Sequence, residues 1–527
     1  MCGLVLLSGS KEEKQRAKAS LDRINHRGPD SQKLIHTADY WLGFTRLAIM
    51  DLSSSGDQPF KYENKYFLCN GEIYNHKKIK QKYSEFNYQS SSDCEVLIPL
   101  LLDKDISKAI GEVDGEFAFV VFDEKSKKII AARDPMGIRP LFYGKSKKNG
   151  EICFASEAKS LMEFSTDIKP FPPGYYYKDG EFICYKDLAR EYSYVTDELD
   201  EACKKINTLL VEGVKKRLDS DAPVGYLLSG GLDSSLVCSI AQKFSDKPIK
   251  TFAIGMSEDA IDLKYAKEVA EHIGSDHTEV IITKADVLAS LSKVILSLES
   301  WDITTVRASV GMYLVCEYIK KHTEIKVLMT GEVSDEIFGY KYTDFAPSAA
   351  EFQKEAQKRV EELYIYDVLR ADRCISAHSL EARVPFSDTD FVEYVMSIDP
   401  KIKMNSYGQG KYLLRKAFEE GDYLPKSILY REKAAFSDAV GHSLVECIKE
   451  YAQKLYSDLE YEKAIQKYKF KTPFTKESLM FRQIFEGHYP SMSKLIKDYW
   501  MPNKNWENCD VEDPSARVLP NYGESGA

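Results

Sequence analysis

No stretch of this chain approaches the ~18 consecutive apolar residues of a membrane span, so none is expected. The apolar run Leu4–Leu7 is too short for a signal peptide, and no basic region precedes it. Positive charge is not in excess: 72 Lys and Arg stand against 82 Asp and Glu, a net charge of −10, so no basic face for nucleic acid is implied. The 11 cysteines occur singly, without a CxxC pair, which predicts reduced thiols in a cytoplasmic protein. His26, His272 and His277 lack partners at metal-ligand spacing. Internal repeats and low-complexity tracts are missing, and so is the GxxxxGK[ST] loop of common kinases and GTPases.

What is present is 527 residues, 43% of them hydrophobic, enough for a large core and too long for one ordinary domain. The 33 tyrosines read mostly as core and interface residues. The first third is β-rich. Strands are predicted over Trp41–Ile49, Tyr66–Cys69, Phe117–Phe122 and Ile129–Ala132, with a turn at Phe171–Gly174. A polar stretch, Asp187–Asp200, is the best linker. Beyond it strands at Val224–Leu228, Ile249–Ile254 and Lys326–Met329 alternate with helices at Ser235–Phe244 and Leu263–Ile273. That rhythm predicts a parallel sheet with covered faces. The end, rich in Pro, Asn and Gly, reads as irregular.

Three local features carry chemistry. The chain opens Met1-Cys2-Gly3, and trimming of Met1 would give Cys2 both a thiol nucleophile and an α-amine to act as its base. A cysteine at position 2 is by itself commonplace. Ser229-Gly230-Gly231-Leu232-Asp233-Ser234-Ser235 joins a strand to a helix; its glycines, amides and hydroxyls suit a phosphate, and Asp233 suits a bridging Mg²⁺. Thr330-Gly331-Glu332-Val333-Ser334-Asp335-Glu336 follows another strand with three carboxylates suited to metal holding or proton transfer, although acids also favour helix starts for the dipole alone. Both turns fall at C-terminal ends of parallel strands, where open α/β sheets bind ligands.

Together these residues resemble the glutamine-hydrolysing asparagine synthetases, nearly end to end. The amidotransferase pieces are Met1–Gly3, His26-Arg27-Gly28-Pro29-Asp30, Arg46–Asp51, Asn70–Asn75 and Ser92–Glu95. The synthetase pieces are Ser229–Ser235, Thr304–Ser309, Glu381–Phe386, Lys433–Asp438 and Asp513–Arg517. The resemblance implies an N-terminal α+β glutaminase domain over 2–190, an αββα sandwich of the N-terminal-nucleophile type. It implies an α/β ATP-pyrophosphatase domain with added helices over 200–500, and an irregular tail over 501–527. It places catalysis at Cys2, Asn70, Gly71 and Glu332, with Asn70 and Gly71 forming the oxyanion hole. Glutamine is expected at Arg46, Leu47, Ala48, Ile49, Met50, Asn70, Gly71, Glu72 and Asp93. ATP is expected at Leu227, Ser229, Gly230, Gly231, Asp233, Ser234, Ser235, Ile254, Thr330, Gly331 and Lys433, with Mg²⁺ at Asp233 and Asp335. The implied small molecules are L-glutamine, L-aspartate and ATP. A homodimer follows only from the habit of the family.

Departures from the pattern are local. Val333 replaces a glycine, Thr330 a serine, and Gly339-Tyr340-Lys341-Tyr342 and Asp259–Leu263 differ from the usual segments. A β-branched residue disfavours positive φ, so the expectation is negative φ at Val333, with Glu332 still directed into the nucleotide site. A related amidotransferase with another acid substrate, or a partly disabled paralogue, remain alternatives at this point.

Overall fold

A computed structural model describes residues 1–256, 260–431, 442–514 and 518–521. Its N-terminal strands are β1 (Gly3–Ser8), β2 (Ser31–Thr37), β3 (Tyr40–Arg46), β4 (Phe60–Tyr62), β5 (Lys65–Ile73) and β6 (Gly115–Asp123). Then follow β7 (Ile129–Arg133), β8 (Phe142–Ser146), β9 (Ile152–Ala155), β10 (Ser165–Pro170), β11 (Tyr175–Lys178) and β12 (Glu181–Cys184). They form two six-stranded sheets, β10-β8-β9-β1-β3-β2 and β12-β11-β7-β6-β5-β4. The pairings given within both are antiparallel.

Alternation sets the layers. Leu4, Leu6, Leu42 and Phe44 of one sheet pack on Leu68, Ala118, Val120 and Phe122 of the other, which fixes the middle of the sandwich. The opposite face of the second sheet, with Phe67, Cys69, Phe117 and Phe119, is covered by helical Ile79, Leu97, Leu100 and Ile110. Outside the first sheet, Val5, Leu7 and Trp41 meet Ala17 and Leu21 of the Lys14–Asp22 helix. The result is the expected αββα order.

The second domain holds β13 (Val224–Leu227), β14 (Lys250–Gly255), β15 (Asp276–Ile281), β16 (Val327–Met329) and β17 (Glu381–Arg383). They form a five-stranded parallel sheet in the order β15-β14-β13-β16-β17. From β13 the chain builds outward through β14 to β15 and then returns to the other side, so the strand order reverses between β13 and β16. The two Gly-containing turns leave the same edge of the sheet at that reversal, the place where a crevice opens in such folds. From Met501 the described residues form neither strand nor α-helix, yet Trp506, Cys509 and Leu519 are buried against Tyr342 and Phe352.

The two domains share a core. The cluster containing Val5, Leu21 and Trp41 continues into Val294, Leu298, Ala371 and Ile375 of the second domain. Buried ion pairs run beside it. Arg27 bridges Glu157 at 2.7 Å and Asp372 at 2.9 Å, and Arg373 binds Glu157 at 2.6 Å and Glu299 at 2.9 Å. Arg27 thus acts at the interface, between the carbonyl of Cys2 and the Asp367–Ser376 helix.

Candidate functional site

The first constellation surrounds Cys2. Its amide donates to Asn70 Oδ1 at 3.0 Å, and its thiol donates to the Leu47 carbonyl at 3.7 Å. Asn70 lies on β5 and is fully buried; its Nδ2 has no partner among the described residues. A buried amide donor without an acceptor is costly unless something fills the role. Beside a thiol, an oxyanion would. Gly71 is needed because a Cβ there would meet the Glu116 carbonyl at 2.5 Å. Burial pushes the Cys2 thiol up to about 11 and the Met1 amine down to about 5. Met1 itself is fully buried, its amine donating to Leu380 O and its sulfur 2.8 Å from Arg139 Nη1.

The other residues expected at this site are placed unevenly. Strand β3 ends at Arg46, three residues earlier than expected, and Leu47 and Ile49 turn onto Ala222 and Val327 of the second domain. The Ala48 amide donates to Asp30, while Lys326 binds both Asp30 and the Ala48 carbonyl. The Arg46 guanidinium is turned into the loop that follows, donating to the Ser53, Met50 and Asp51 carbonyls and pairing with Asp57. Glu72 pairs across the domain boundary with Arg383 at 2.8 Å. Asp93 accepts the Ile73 amide at 2.6 Å.

The second constellation is a cavity of about 240 Å³ at the sheet reversal. Leu227, Ser229, Gly231, Asp233, Ser234, Ile254, Thr330, Gly331, Glu332 and Asp335 all line it. Gly230 and Ser235 do not. Gly230 makes the turn at φ 71°, where a Cβ would strike the Ala266 amide at 2.5 Å. Ser235 is fully buried in the helix Leu232–Lys243. Lys433 lies outside the described residues, as does the rest of Lys433–Asp438.

Lys411 binds the two turns together. Its ammonium lies 2.9 Å from each Asp233 oxygen, 2.9 Å from Ser334 Oγ and 2.5 Å from Asp335 Oδ1. Both carboxylates therefore face one point, as oxygen ligands of a hard cation must. Among the described residues no third carboxylate, His or Cys completes a metal cluster, so phosphate oxygens and water would supply the remaining positions. Glu332 lines the cavity as expected and pairs with Arg370 at 2.5 Å, while Arg370 also holds Asp367 at 3.1 Å. Arg431 covers the Tyr265 ring and donates to Gly230 O and Asp262. Lys411, Arg370 and Arg431 escaped the sequence reading. The one available signal for Lys411 was a lysine set after two glycines, Gly408 and Gly410.

Val333 corrects an expectation. It adopts φ 83° and ψ −25°, a left-handed conformation, not the negative φ that its branching predicts. Its side chain is 1% exposed and packs with Met329, Ile337 and Phe338. The surrounding core holds Val333 in this conformation against its local preference. Two other family segments meet: Arg307 is gripped by Glu477 and by Asp513 of the tail.

A thiol-bearing αββα sandwich joined to a parallel sheet, with two Gly-containing turns on one cavity, is the build of a two-domain amidotransferase enzyme. A glutamine amidotransferase domain model matches residues 1–171, and an asparagine synthase model matches 205–354 and 341–512. The asparagine synthetase [glutamine-hydrolyzing] of Homo sapiens is 40% identical over 564 residues, covering 99% of each chain. That of Gallus gallus is 40% identical over 563 residues with the same coverage. A probable asparagine synthetase of Acanthamoeba polyphaga mimivirus is 39% identical over 558 residues, covering 99% of this chain and all of the other. The chain belongs to the glutamine-hydrolysing asparagine synthetases.

Proposed function

We propose that this chain makes L-asparagine from L-aspartate, with ATP cleaved to AMP and pyrophosphate and glutamine as nitrogen source. The supporting observation is the convergence of Asp233, Asp335 and Lys411 on one cavity, in a chain whose Cys2 faces the unpartnered amide of Asn70. Once Met1 is removed, the Cys2 α-amine takes the thiol proton and the thiolate attacks the glutamine side-chain amide. Asn70 Nδ2 and the Gly71 amide hold the oxyanion, and ammonia leaves. Glu72, Asp93 and Arg46 bind the α-amino and α-carboxylate groups of glutamine. Arg46 must share its guanidinium with the loop carbonyls to do so.

In the cavity the aspartate β-carboxylate attacks the α-phosphorus of ATP, giving β-aspartyl-AMP and pyrophosphate. Ser229, Gly231 and Ser234 cradle the leaving phosphates, and Lys411 and Lys433 offset their charge. Asp233 and Asp335 would hold Mg²⁺, which supplies charge neutralisation to the phosphates when bound. Ammonia attacks the acyl carbon, AMP departs, and Glu332, held in place by Arg370, accepts the surplus proton. All eleven cysteines are free and only Cys184 is exposed, which supports a cytoplasmic setting.

The test offers the protein ATP, Mg²⁺ and glutamine with aspartate or other acids. Aspartate should give AMP and asparagine in equal amounts. Cys2→Ala should lose the glutamine-dependent reaction and keep the ammonia-dependent one. AMP formed with another acid and not with aspartate would sink the reading.

A further inference from the structure

We propose that Lys411 is a tethered counter-ion that keeps divalent cations off the Asp233–Asp335 pair until a nucleotide's phosphates draw its ammonium away. The inference rests on reading the cavity as a metal–nucleotide site. An ammonium has three hydrogens. Here they are directed at Asp233, Asp335 and Ser334, at 2.5 to 2.9 Å, and Ser334 in turn donates to Asp233. A divalent cation ligated by both carboxylates would approach the same oxygens, and two positive centres at that separation repel strongly. Exchange would strand the displaced ammonium of a buried lysine, and a buried charge without a counter-charge is costly, so phosphate oxygens must be there to receive it.

The backbone is arranged for such a change. Lys411 is 6% exposed and sits at φ 58°, the left-handed region that non-glycine residues adopt uncommonly. It caps the short helix Tyr412–Ala417 shortly after Gly408 and Gly410, and beyond their chain neighbours neither glycine has an atom of the described residues within 4 Å of where a Cβ would stand. A lysine aimed inward by a strained backbone, on a segment with open space beside it, can trade one anionic partner for another without repacking the core.

The test titrates the full chain, stripped of metal, with Mn²⁺ in the absence of nucleotide, reading bound ion by electron paramagnetic resonance. Wild type should take up no Asp233-dependent Mn²⁺ below about 1 mM, since its carboxylates are already neutralised in part. Lys411→Met should bind at least about tenfold more tightly, because one like charge is removed from the cation site. The gain should vanish in the Lys411→Met, Asp233→Asn double variant. Micromolar uptake by wild type that Asp233→Asn abolishes overturns the proposal, as does an unimproved Lys411→Met. If Lys411→Met unfolds without metal, rescue of its melting temperature by Mn²⁺ supports the proposal; failure of Mn²⁺ to rescue it makes the ion pair structural and overturns it. Calorimetry of MgATP binding to wild type separates the two levels. No binding defeats the nucleotide reading as well, whereas binding with the Mn²⁺ outcomes reversed defeats the counter-ion alone.

Discussion

Asn70 uses one of its two polar atoms to hold the Cys2 amide and leaves the other without an acceptor among the described residues. An oxyanion donor of this kind contributes about 10²–10³ in rate when it is removed from related sites. Asn70→Ala should therefore cut glutamine hydrolysis by about that factor and leave ammonia-dependent synthesis unchanged; equal losses in both assays would place Asn70 in a purely structural role. Val333 gives a second test at this scale. A non-glycine residue at positive φ carries about 1–2 kcal/mol of strain. Val333→Ala and Val333→Gly both remove the buried isopropyl, but only glycine releases the strain. The glycine variant should melt higher than the alanine variant, by about 1 kcal/mol in stability, against the usual order of the two residues. Cys2 and Asp233 were legible because each stands in a local motif, and Asn70 is named only through the family resemblance. Lys411 was not: 178 residues separate it from Asp233, and only the folded sheet brings them together. The φ of Val333 was misread for a related reason, since branching states a local preference and the packing of Ile337 and Phe338 overrides it.

The site is built by elements that the sequence pattern located to within a few residues. The turns after β13 and β16 fall where strand-to-helix changes were read, and parallel order follows from the helical crossovers. Asp233→Asn should lower AMP formation by at least about tenfold, as loss of a charged metal ligand implies, while glutamine hydrolysis persists. Unchanged AMP production would remove Asp233 from the phosphate chemistry. The segment Leu47-Ala48-Ile49 shows where pattern reading stops. Its apolar run reads as more strand, yet Leu47 and Ile49 are buried against Ala222 and Val327 of the other domain. Apolar periodicity reports that a face is covered and is silent about which partner covers it.

Across the whole molecule the two domains are joined by buried charge as well as by apolar packing. Burial alone would raise the Glu157 carboxyl, but Arg373, Lys159 and His26 outweigh it and hold the group well below its usual range. A depressed acid stabilises the fold above its unfolded value, about 4.3, and that contribution is lost as pH falls through the folded value. Glu157→Gln takes one carboxylate from Arg27, Arg373 and Lys159, leaving Arg27 only Asp372 and Arg373 chiefly Glu299, and should cost about 3–5 kcal/mol at neutral pH. Its melting temperature should fall clearly below wild type at pH 7, and the gap should begin to narrow only below about pH 4.3 and close as the pH passes the depressed folded value. A gap that stays constant with pH would mean that Glu157 acts through packing. The shared core predicts one calorimetric transition for wild type. None of this was legible beforehand, because Arg27, Glu157 and Asp372 are ordinary charged residues until folding takes them out of water.

The burial of Met1 has a consequence in time. Its amine and side chain are sealed between the domains, so an aminopeptidase has no access once the second domain has docked. If Cys2 is to serve as the N-terminal nucleophile, Met1 has to leave before the two domains close over it. A molecule that folds first keeps its first residue. Fast production in a foreign host would then leave two populations of one sequence, separable by intact mass, with glutamine hydrolysis confined to the lighter one and ammonia use common to both.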